Sequence, residues 1–360
     1  MGLLSSSGLY VIGPVVLHCS VMKKISVNMV SESDIYVQGH GVHTAYVEMA
    51  EALEKRKDVE VIRGKFKERV DANIIHLHTF GMYAFRKALQ RGPKKVFSAH
   101  VVPASLIGSI IGARYWMPAM RLYMRWYYNK ADKVLAVSGK VSEVLQEELH
   151  VPKEKIEVFY NTIDMSRYAF TAQYKSDARK KLALKKSDFM VLGVGQIQPR
   201  KRLDVFVEMA KQLPDITFVW IGGIPFKQLG ADYHAMQKLM NSAPKNLKLV
   251  GILPHEQVAE YLAAADAFCL PAEQENHPMC VLEAAGAGLP IVVRDIVEYD
   301  DTFKNDVIRC DDGTFANAIV KLRNDKKFYQ SQQKKTKKVA DRFDSKNAAE
   351  RLVKLYRQLL

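Results

Sequence analysis

Cysteine is scarce in this chain. The four in 360 residues, Cys19, Cys269, Cys280 and Cys310, form no CxxC pair and no Cys/His cluster, which argues against a zinc ribbon or a disulfide framework. Cys269 and Cys280 stand in apolar runs, where reduced core thiols are expected. Beyond the N-terminal stretch, no run offers the roughly 20 uncharged apolar residues that a membrane-spanning helix needs. That stretch, MGLLSSSGLYVIGPVVLHCSV, is apolar but lacks a basic leader, so a secretory signal fits poorly. Gly2 with Ser6 matches a short myristoylation pattern. Met22-Lys23-Lys24 running into ISVNMV reads as the start of a first strand, so residues 1–21 are expected to be an extension outside the fold. There is no internal repeat and no low-complexity segment. Acidic residues are outnumbered, with 39 Asp and Glu against 53 Lys and Arg, which leaves a formal charge of +14. Such a balance calls for an anionic partner: nucleic acid, an acidic membrane surface or phosphorylated small molecules.

The length is too great for one ordinary core, so two domains are expected. From Met22 onward, short β-branched runs (KISVNMV, VEVI, NIIHLH, KKVFSAH, KVLAVS, IEVFY) alternate with helical periodicity at 43–56 and 140–149. Residues 161–188 turn polar and irregular, as a linker with a short basic helix. A second series follows: FMVLGVG, ITFVWIGG, LKLVG, AFCLP and PIVV, with helices at 201–212, 231–241, 255–264 and 279–287. Strand–helix alternation of this kind predicts an α/β chain of two doubly wound parallel-sheet domains. The boundaries fall at 22–165 and 186–344, with an amphipathic 345–360 helix crossing back to the first domain. Ligands then belong in the cleft at the carboxyl ends of the strands.

The strand-to-helix turns carry the chemistry. In YVQGHGVHTAY, Gly39 and Gly41 allow close backbone approach to a ligand, though a plain tight turn reads equally well, and the pattern is not GxGxxG. His76, His78 and His100 end neighbouring strands. His76 and His78 share one face, but no third ligand lies near in sequence, so structural histidines are preferred to a metal pair. In GVGQIQPRKRLD, Arg200, Lys201 and Arg202 crowd the start of a helix, where the dipole disfavours cations. A bound diphosphate explains them; a solvated basic face is the alternative. In PAEQENHPMCVLEAAGAGLPIVV, Glu275 lies at a helix mouth and Glu283 about one turn inside. Half-buried carboxylates need partners, which sugar hydroxyls and a ribose diol supply, while free helix-start amides can meet phosphate.

These motifs together resemble the retaining GT-B glycosyltransferases of the family 4-like group, which includes sucrose synthases and bacterial glycolipid and polysaccharide glycosyltransferases. The resemblance rests on the E-x7-E pair Glu275 and Glu283 with its AAGAGLP tail, the Gly39–Val42 loop, the strand-end His100, NTID at 161–164 and the 193–202 loop. It covers residues 22–360 and implies two Rossmann-like domains facing across a cleft, the first for the acceptor and membrane, the second for a nucleotide-sugar. It implies a metal-independent hexosyltransferase with no cofactor beyond that co-substrate, UDP-glucose or UDP-galactose. Lys201 and Arg200 would steady the departing diphosphate, Glu283 the ribose, Glu275 the sugar, and His100 the sugar from the opposite domain. Gly41, Gln196, Asn276, His277, Pro278 and Met279 complete the implied donor-binding set. Two departures stand out: Gln196 replaces the usual arginine, and Asn276-His277-Pro278 replaces the glycines after the first glutamate.

For the acceptor, SLIGSIIGARYWMPAMRLYMRWYYNK (105–130) holds four basic residues and no acid. Arg114, Arg121 and Arg125 share one side of a helical wheel, Trp116, Met120, Tyr123 and Tyr127 the other, and Pro118 is expected to split the segment into two helices. Three arginines at about 3 kcal/mol each oppose spanning. An anionic surface, by contrast, attracts at about 1 kcal/mol per basic residue. Arg114, Trp116, Arg121, Arg125 and Lys130 are therefore the expected membrane contacts; the alternative is an apolar face packed in the domain with only the arginines outside. The expected site of action is the cytoplasmic face of the membrane, with a glycolipid such as glucosyl-diacylglycerol as acceptor. A polyprenyl-linked acceptor of capsule or cell-wall synthesis is the second reading. Nucleic acid is not expected, because no RNP or zinc-finger pattern accompanies the charge.

Overall fold

A computed structural model describes residues 24–33, 41–65, 67–107, 109, 112–224 and 232–360. The expected extension at 1–21, Gly39 and the Arg114 side chain lie outside the described residues. The first unit comprises β1 (Ile25–Val30), α1 (Gly41–Glu54), β2 (Val59–Ile62), β3 (Ile74–Leu77), α2 (Met82–Leu89), β4 (Lys94–Ala99), α3 (Pro103–Leu106), α4 (Ala113–Asn129), β5 (Lys133–Ala136), α5 (Gly139–Glu147) and β6 (Ile156–Val158). A 3-10 turn, Met165–Tyr168, and α6 (Ala172–Lys181) lead to the second unit. That unit holds β7 (Met190–Val194), α7 (Leu203–Gln212), β8 (Thr217–Ile221), α8 (Tyr233–Asn241), β9 (Leu247–Gly251), α9 (His255–Ala264), β10 (Ala267–Leu270), α10 (Met279–Gly286), β11 (Ile291–Arg294) and β12 (Ile308–Cys310). Helices α11 (Phe315–Asn324), α12 (Lys326–Arg342) and α13 (Ala348–Leu359) finish the chain.

Each unit carries one six-stranded sheet, ordered β2-β1-β3-β4-β5-β6 and β12-β11-β10-β7-β8-β9. Neighbouring strands run parallel, as in the registers Val27↔Ile74 and Leu192↔Val219. The strand sequences read as unbroken apolar runs because both faces are covered: every residue of IIHL in β3 and AFCL in β10 is buried. Edge strand β12, three residues long, was too short to leave a signal in the sequence pattern.

The first sheet has two apolar faces. Ile75, Phe97, Val134 and Ala136 pack with Met117, Met124, Tyr127 and Tyr128 of α4. Ile25, Val27, Ile74, Val96 and Leu135 pack on the other face with Tyr46 and Leu53 of α1 and with Leu352, Val353 and Tyr356 of α13. The chain thus passes between the units twice, and the two passages meet. Ile163 N donates to Phe343 O at 3.1 Å and Ser345 N to Ile163 O at 2.9 Å.

The expected break at Pro118 is corrected. Pro118 lies inside α4, and the chain turns instead at Gly112, which has φ +67°. Pro118 itself is exposed, and the left-handed backbone at Gly112 is one that favours glycine. Cys269 and Cys310 are buried free thiols and Cys280 is half-buried.

Tyr356 is fully buried, and its hydroxyl lies 2.7 Å from His76 Nδ1. Tyr356→Ala should lower stability by about 3–5 kcal/mol, read as a shift of the urea midpoint. A shift below about 1 kcal/mol would show that α13 adds little to the first core.

Candidate active site

The end of β7 is shaped by close packing with β8. A Cβ on Gly193 would sit 2.5 Å from the Trp220 ring, and one on Gly222 would sit 2.0 Å from Gly195 O. Trp220 Nε1 donates to Gly195 O at 2.9 Å, which fixes the loop that follows. That loop enters a 3-10 turn, Pro199–Lys201, and Arg202 adopts a left-handed conformation before α7 begins. Arg200 and Lys201 therefore precede the helix and turn inward. Lys201 Nζ is hydrogen-bonded to Glu275 Oε1, and Arg200 Nη1 lies 3.8 Å from the same oxygen. Both members of the Lys201–Glu275 pair are buried. Arg202 points away, bonded to Asp204 and Asp312.

Glu275 belongs to the loop between β10 and α10, and Pro278 caps α10 with extended backbone, leaving its first amides toward the site. One turn in, buried Glu283 lies 3.2 Å from His255 Nε2 at the start of α9. The same nitrogen lies 3.2 Å from the Tyr168 hydroxyl. Burial pushes the Cys280 thiol, between the two acids on α10, up to about 12.

The first unit meets this loop directly. Asn276 Nδ2 donates to His100 O at 2.8 Å and to Ser105 Oγ at 2.9 Å. Arg200 Nε donates to Ser109 Oγ at 2.9 Å, and Ser109 donates to Gln198 Oε1 at 3.2 Å. His100 follows β4 and its Nε2 lies 3.1 Å from His78 Nδ1. His76 stacks on His78, with ring centroids 4.4 Å apart, and its nitrogens meet Ser98 Oγ and Tyr356. Those partners give His76 and His78 a structural place beside His100.

Lys201, Arg200, Glu275, Asn276 and His100 thus converge across the cleft, with Glu283 one helical turn behind. Gly41 opens α1, and a Cβ there would meet nothing within 4 Å. Gln196 is half-buried and accepts from Gln198 Nε2 at 3.1 Å. The side chains of two expected donor-binding residues turn into the protein. The His277 side chain stacks on Phe303 and packs against Tyr160 and Phe343, while its Nδ1 accepts from Asn161 N at 3.2 Å. Met279 is buried in the core of the second unit. The His277 carbonyl is also taken, accepting from Asn161 Nδ2 at 2.9 Å. Trp116 packs half-buried against the first core, while Arg121, Arg125 and Lys130 are exposed. Sequence reasoning missed Ser109, His255 and Tyr168. A histidine opening a helix directly after a strand, as in GILPHEQ, was the available signal for His255.

Among the described residues no group of three or more His, Cys, Asp or Glu is arranged to hold a metal ion. Residues 56–167 match the family model described as Glycosyltransferase Family 4, and residues 175–339 the model described as Glycosyl transferases group 1. Over 281 residues the chain is 33% identical to the alpha-galactosylglucosyldiacylglycerol synthase of Streptococcus pneumoniae, covering 77% of this chain and 74% of that one. It belongs to the family 4-like GT-B glycosyltransferases. This glycosyltransferase is also 31% identical over 225 residues to the UDP-Gal:alpha-D-GlcNAc-diphosphoundecaprenol alpha-1,3-galactosyltransferase of Escherichia coli, covering 58% of this chain and 56% of the other. Its two-sheet fold superposes on Anabaena HepE, solved with UDP and glucose, with a TM-score of 0.73 at 15% identity, over 93% of this chain and 100% of that one.

Burial of this glycosyltransferase's His76 and His277, with His100 nearby, pushes both rings from 6.5 down to about 3. Between those values the unfolded chain binds protons that the folded chain refuses. Their contribution to stability is therefore complete above pH 6.5 and is lost as the pH falls toward 3. Each should remove up to about 1.4 kcal/mol per pH unit. Urea titrations at neutral and mildly acidic pH check this, and an acid-insensitive midpoint would contradict neutral burial.

Proposed function

We propose that this glycosyltransferase moves a hexose from UDP-glucose or UDP-galactose to a membrane glycolipid such as glucosyl-diacylglycerol, with retention, forming an α-glycosidic bond. The second domain (186–344) holds the donor and the first (22–165) the acceptor, with the 345–360 helix returning to the first. One observation carries the lipid acceptor. Of nine large hydrophobic residues exposed among the described residues, five fall between positions 82 and 122: Met82, Leu89, Ile107, Tyr115 and Leu122. Arg121 and Arg125 are exposed on the same helix as Tyr115 and Leu122, and Lys130 follows it. Apolar side chains set among cations suit the interface of an anionic bilayer. No helix among the described residues is long and apolar enough to cross a membrane. On the reading proposed, the enzyme works as a peripheral protein on the cytoplasmic face. The name of the pneumococcal relative supports a glycosylated diacylglycerol acceptor. That of the Escherichia coli relative supports a UDP-sugar donor and keeps a polyprenyl-linked acceptor as the second reading.

Glu275 neutralises Lys201, with Arg200 beside it. An arriving diphosphate takes over those cations and the first amides of α10, freeing Glu275 for the hydroxyls of the sugar, which His100 meets from the other side. The cations and amides stabilise charge as it develops on the departing diphosphate, without a metal. The acceptor hydroxyl attacks on the face the diphosphate leaves, and its proton passes to the departing phosphate.

Lys201→Ala should reduce kcat by about a hundredfold and raise the donor KM less. Arg200→Ala should show a milder loss, and wild-type turnover by Lys201→Ala would refute the phosphate role. Chelator should leave transfer unaffected; loss restored by a divalent ion would overturn the metal-free route.

A panel of UDP-sugars against glucosyl-diacylglycerol and polyprenyl-diphosphate sugars, with products read by mass and linkage, decides the acceptor. Arg121→Glu with Arg125→Glu should abolish sedimentation with anionic vesicles while transfer to a short-chain acceptor survives. Unchanged sedimentation would remove α4 from the membrane contact.

A further inference from the structure

His255 has no role in the reaction scheme above, yet it touches the inner acid of the E-x7-E pair. Its Nε2 lies 3.2 Å from Glu283 Oε1. Among the described residues it is the one hydrogen-bonding partner of that carboxylate, and Glu283 is only 5% exposed. An ionised carboxylate can only accept, so the ring must carry its hydrogen on Nε2. The Glu283 hydrogen bond raises the pKa of His255 above its ordinary value against the opposing effect of burial, with Glu48 and Glu256 adding to the rise.

A second group flanks the same nitrogen: the Tyr168 oxygen lies 3.2 Å from Nε2, and with the ring hydrogen on Nε2 it can only accept, sharing that hydrogen with Glu283. Tyr168 packs closely on α10. A Cβ on Gly286, three residues along α10 from Glu283 and so on the same side, would come within 2.9 Å of Tyr168 Cβ. The turn carrying Tyr168 is anchored in the first unit, where Arg167 Nη1 donates to Glu48 Oε1 at 2.8 Å and Asp164 N to Glu48 Oε2 at 2.9 Å.

We propose that His255 is a positioning residue for the donor: its Nε2 hydrogen holds Glu283 Oε1 and so presents Oε2 to the ribose diol. A glutamate has three rotatable side-chain bonds, and a carboxylate fixed before the ligand arrives spares the ordering cost that binding would otherwise carry. A bland alternative exists, that His255 merely begins α9 at the surface. The two differ in what the donor feels. The inference rests on the donor-site reading above, specifically on Glu283 meeting the ribose.

The test uses the full chain with UDP as calorimetric probe and UDP-glucose and UDP-galactose for kinetics. His255→Phe should weaken UDP binding and raise the donor KM about tenfold, with kcat nearly unchanged. His255→Gln, whose Nε2 amide can donate from a similar place, should restore most of that loss. Glu283→Ala should weaken UDP binding at least as much, and adding His255→Phe to it should cost nothing further. Thermal melts of each variant separate loss of fold from loss of site. Wild-type UDP affinity in His255→Phe, or full additivity with Glu283→Ala, overturns the positioning role alone. Failure of His255→Gln to rescue a folded protein does the same. If Glu283→Ala itself binds UDP normally, the ribose assignment falls and this inference with it.

Discussion

A lysine ammonium and a glutamate carboxylate buried against each other organise the second half of this molecule. Lys201 comes from the turn after β7 and Glu275 from the loop after β10, and Arg200 stands 3.8 Å from the same carboxylate oxygen. Removing one partner of such a pair typically costs about 3–5 kcal/mol because the survivor is left buried and unpaired. The pair therefore pins two strand-to-helix loops to one geometry, and the amino end of α10 is aimed by that constraint. A polyanion entering the site would not create a pocket; it would exchange partners with a charge pair that already exists.

The cleft depends on the same economy of contacts. Asn276, one residue beyond Glu275, reaches His100 O and Ser105 Oγ, while Arg200, one residue before Lys201, reaches Ser109. Further round, Asp301 accepts from Gly139 N at the start of α5 at 2.5 Å and from the Tyr160 hydroxyl at 3.2 Å. Each of these contacts is polar. The residues that join the two units are thus neighbours of the charge pair, and the two chain passages meet where Ile163 pairs with Phe343 and Ser345.

Much of the fold was legible because its signals are local. Buried parallel strands announce themselves as apolar runs, and helices such as His255–Ala264 fall where the periodicity places them. The E-x7-E spacing is equally local, since a loop followed by one helical turn sets it. What could not be read depends on partners far apart in sequence. His277 looked like a loop residue beside an acid, and only the packing of Phe303 and Phe343 draws its ring into the core. Pro118 looked like a helix breaker, but it lies exposed inside α4, and Gly112 supplies the bend. The amphipathic face of α4 was visible as a pattern; that its aromatics serve the interior while Tyr115 and Leu122 stay outside follows from which way the helix lies on the sheet.

The double passage between the two halves has a consequence for biosynthesis. One apolar face of the first sheet is finished only by Leu352, Val353 and Tyr356, which leave the ribosome some two hundred residues after β6. Through that interval Val27, Ile74 and Val96 have α1 as cover but not α13. Nascent chains ordinarily settle domain by domain from the amino end. Here the amino-terminal half must wait, with a partly bare surface, for the second half to be made and to return its closing helix. The chain is in that sense assembled as a single object, and the stretch of translation before α13 emerges is when it is most open to aggregation and most in need of a chaperone's cover.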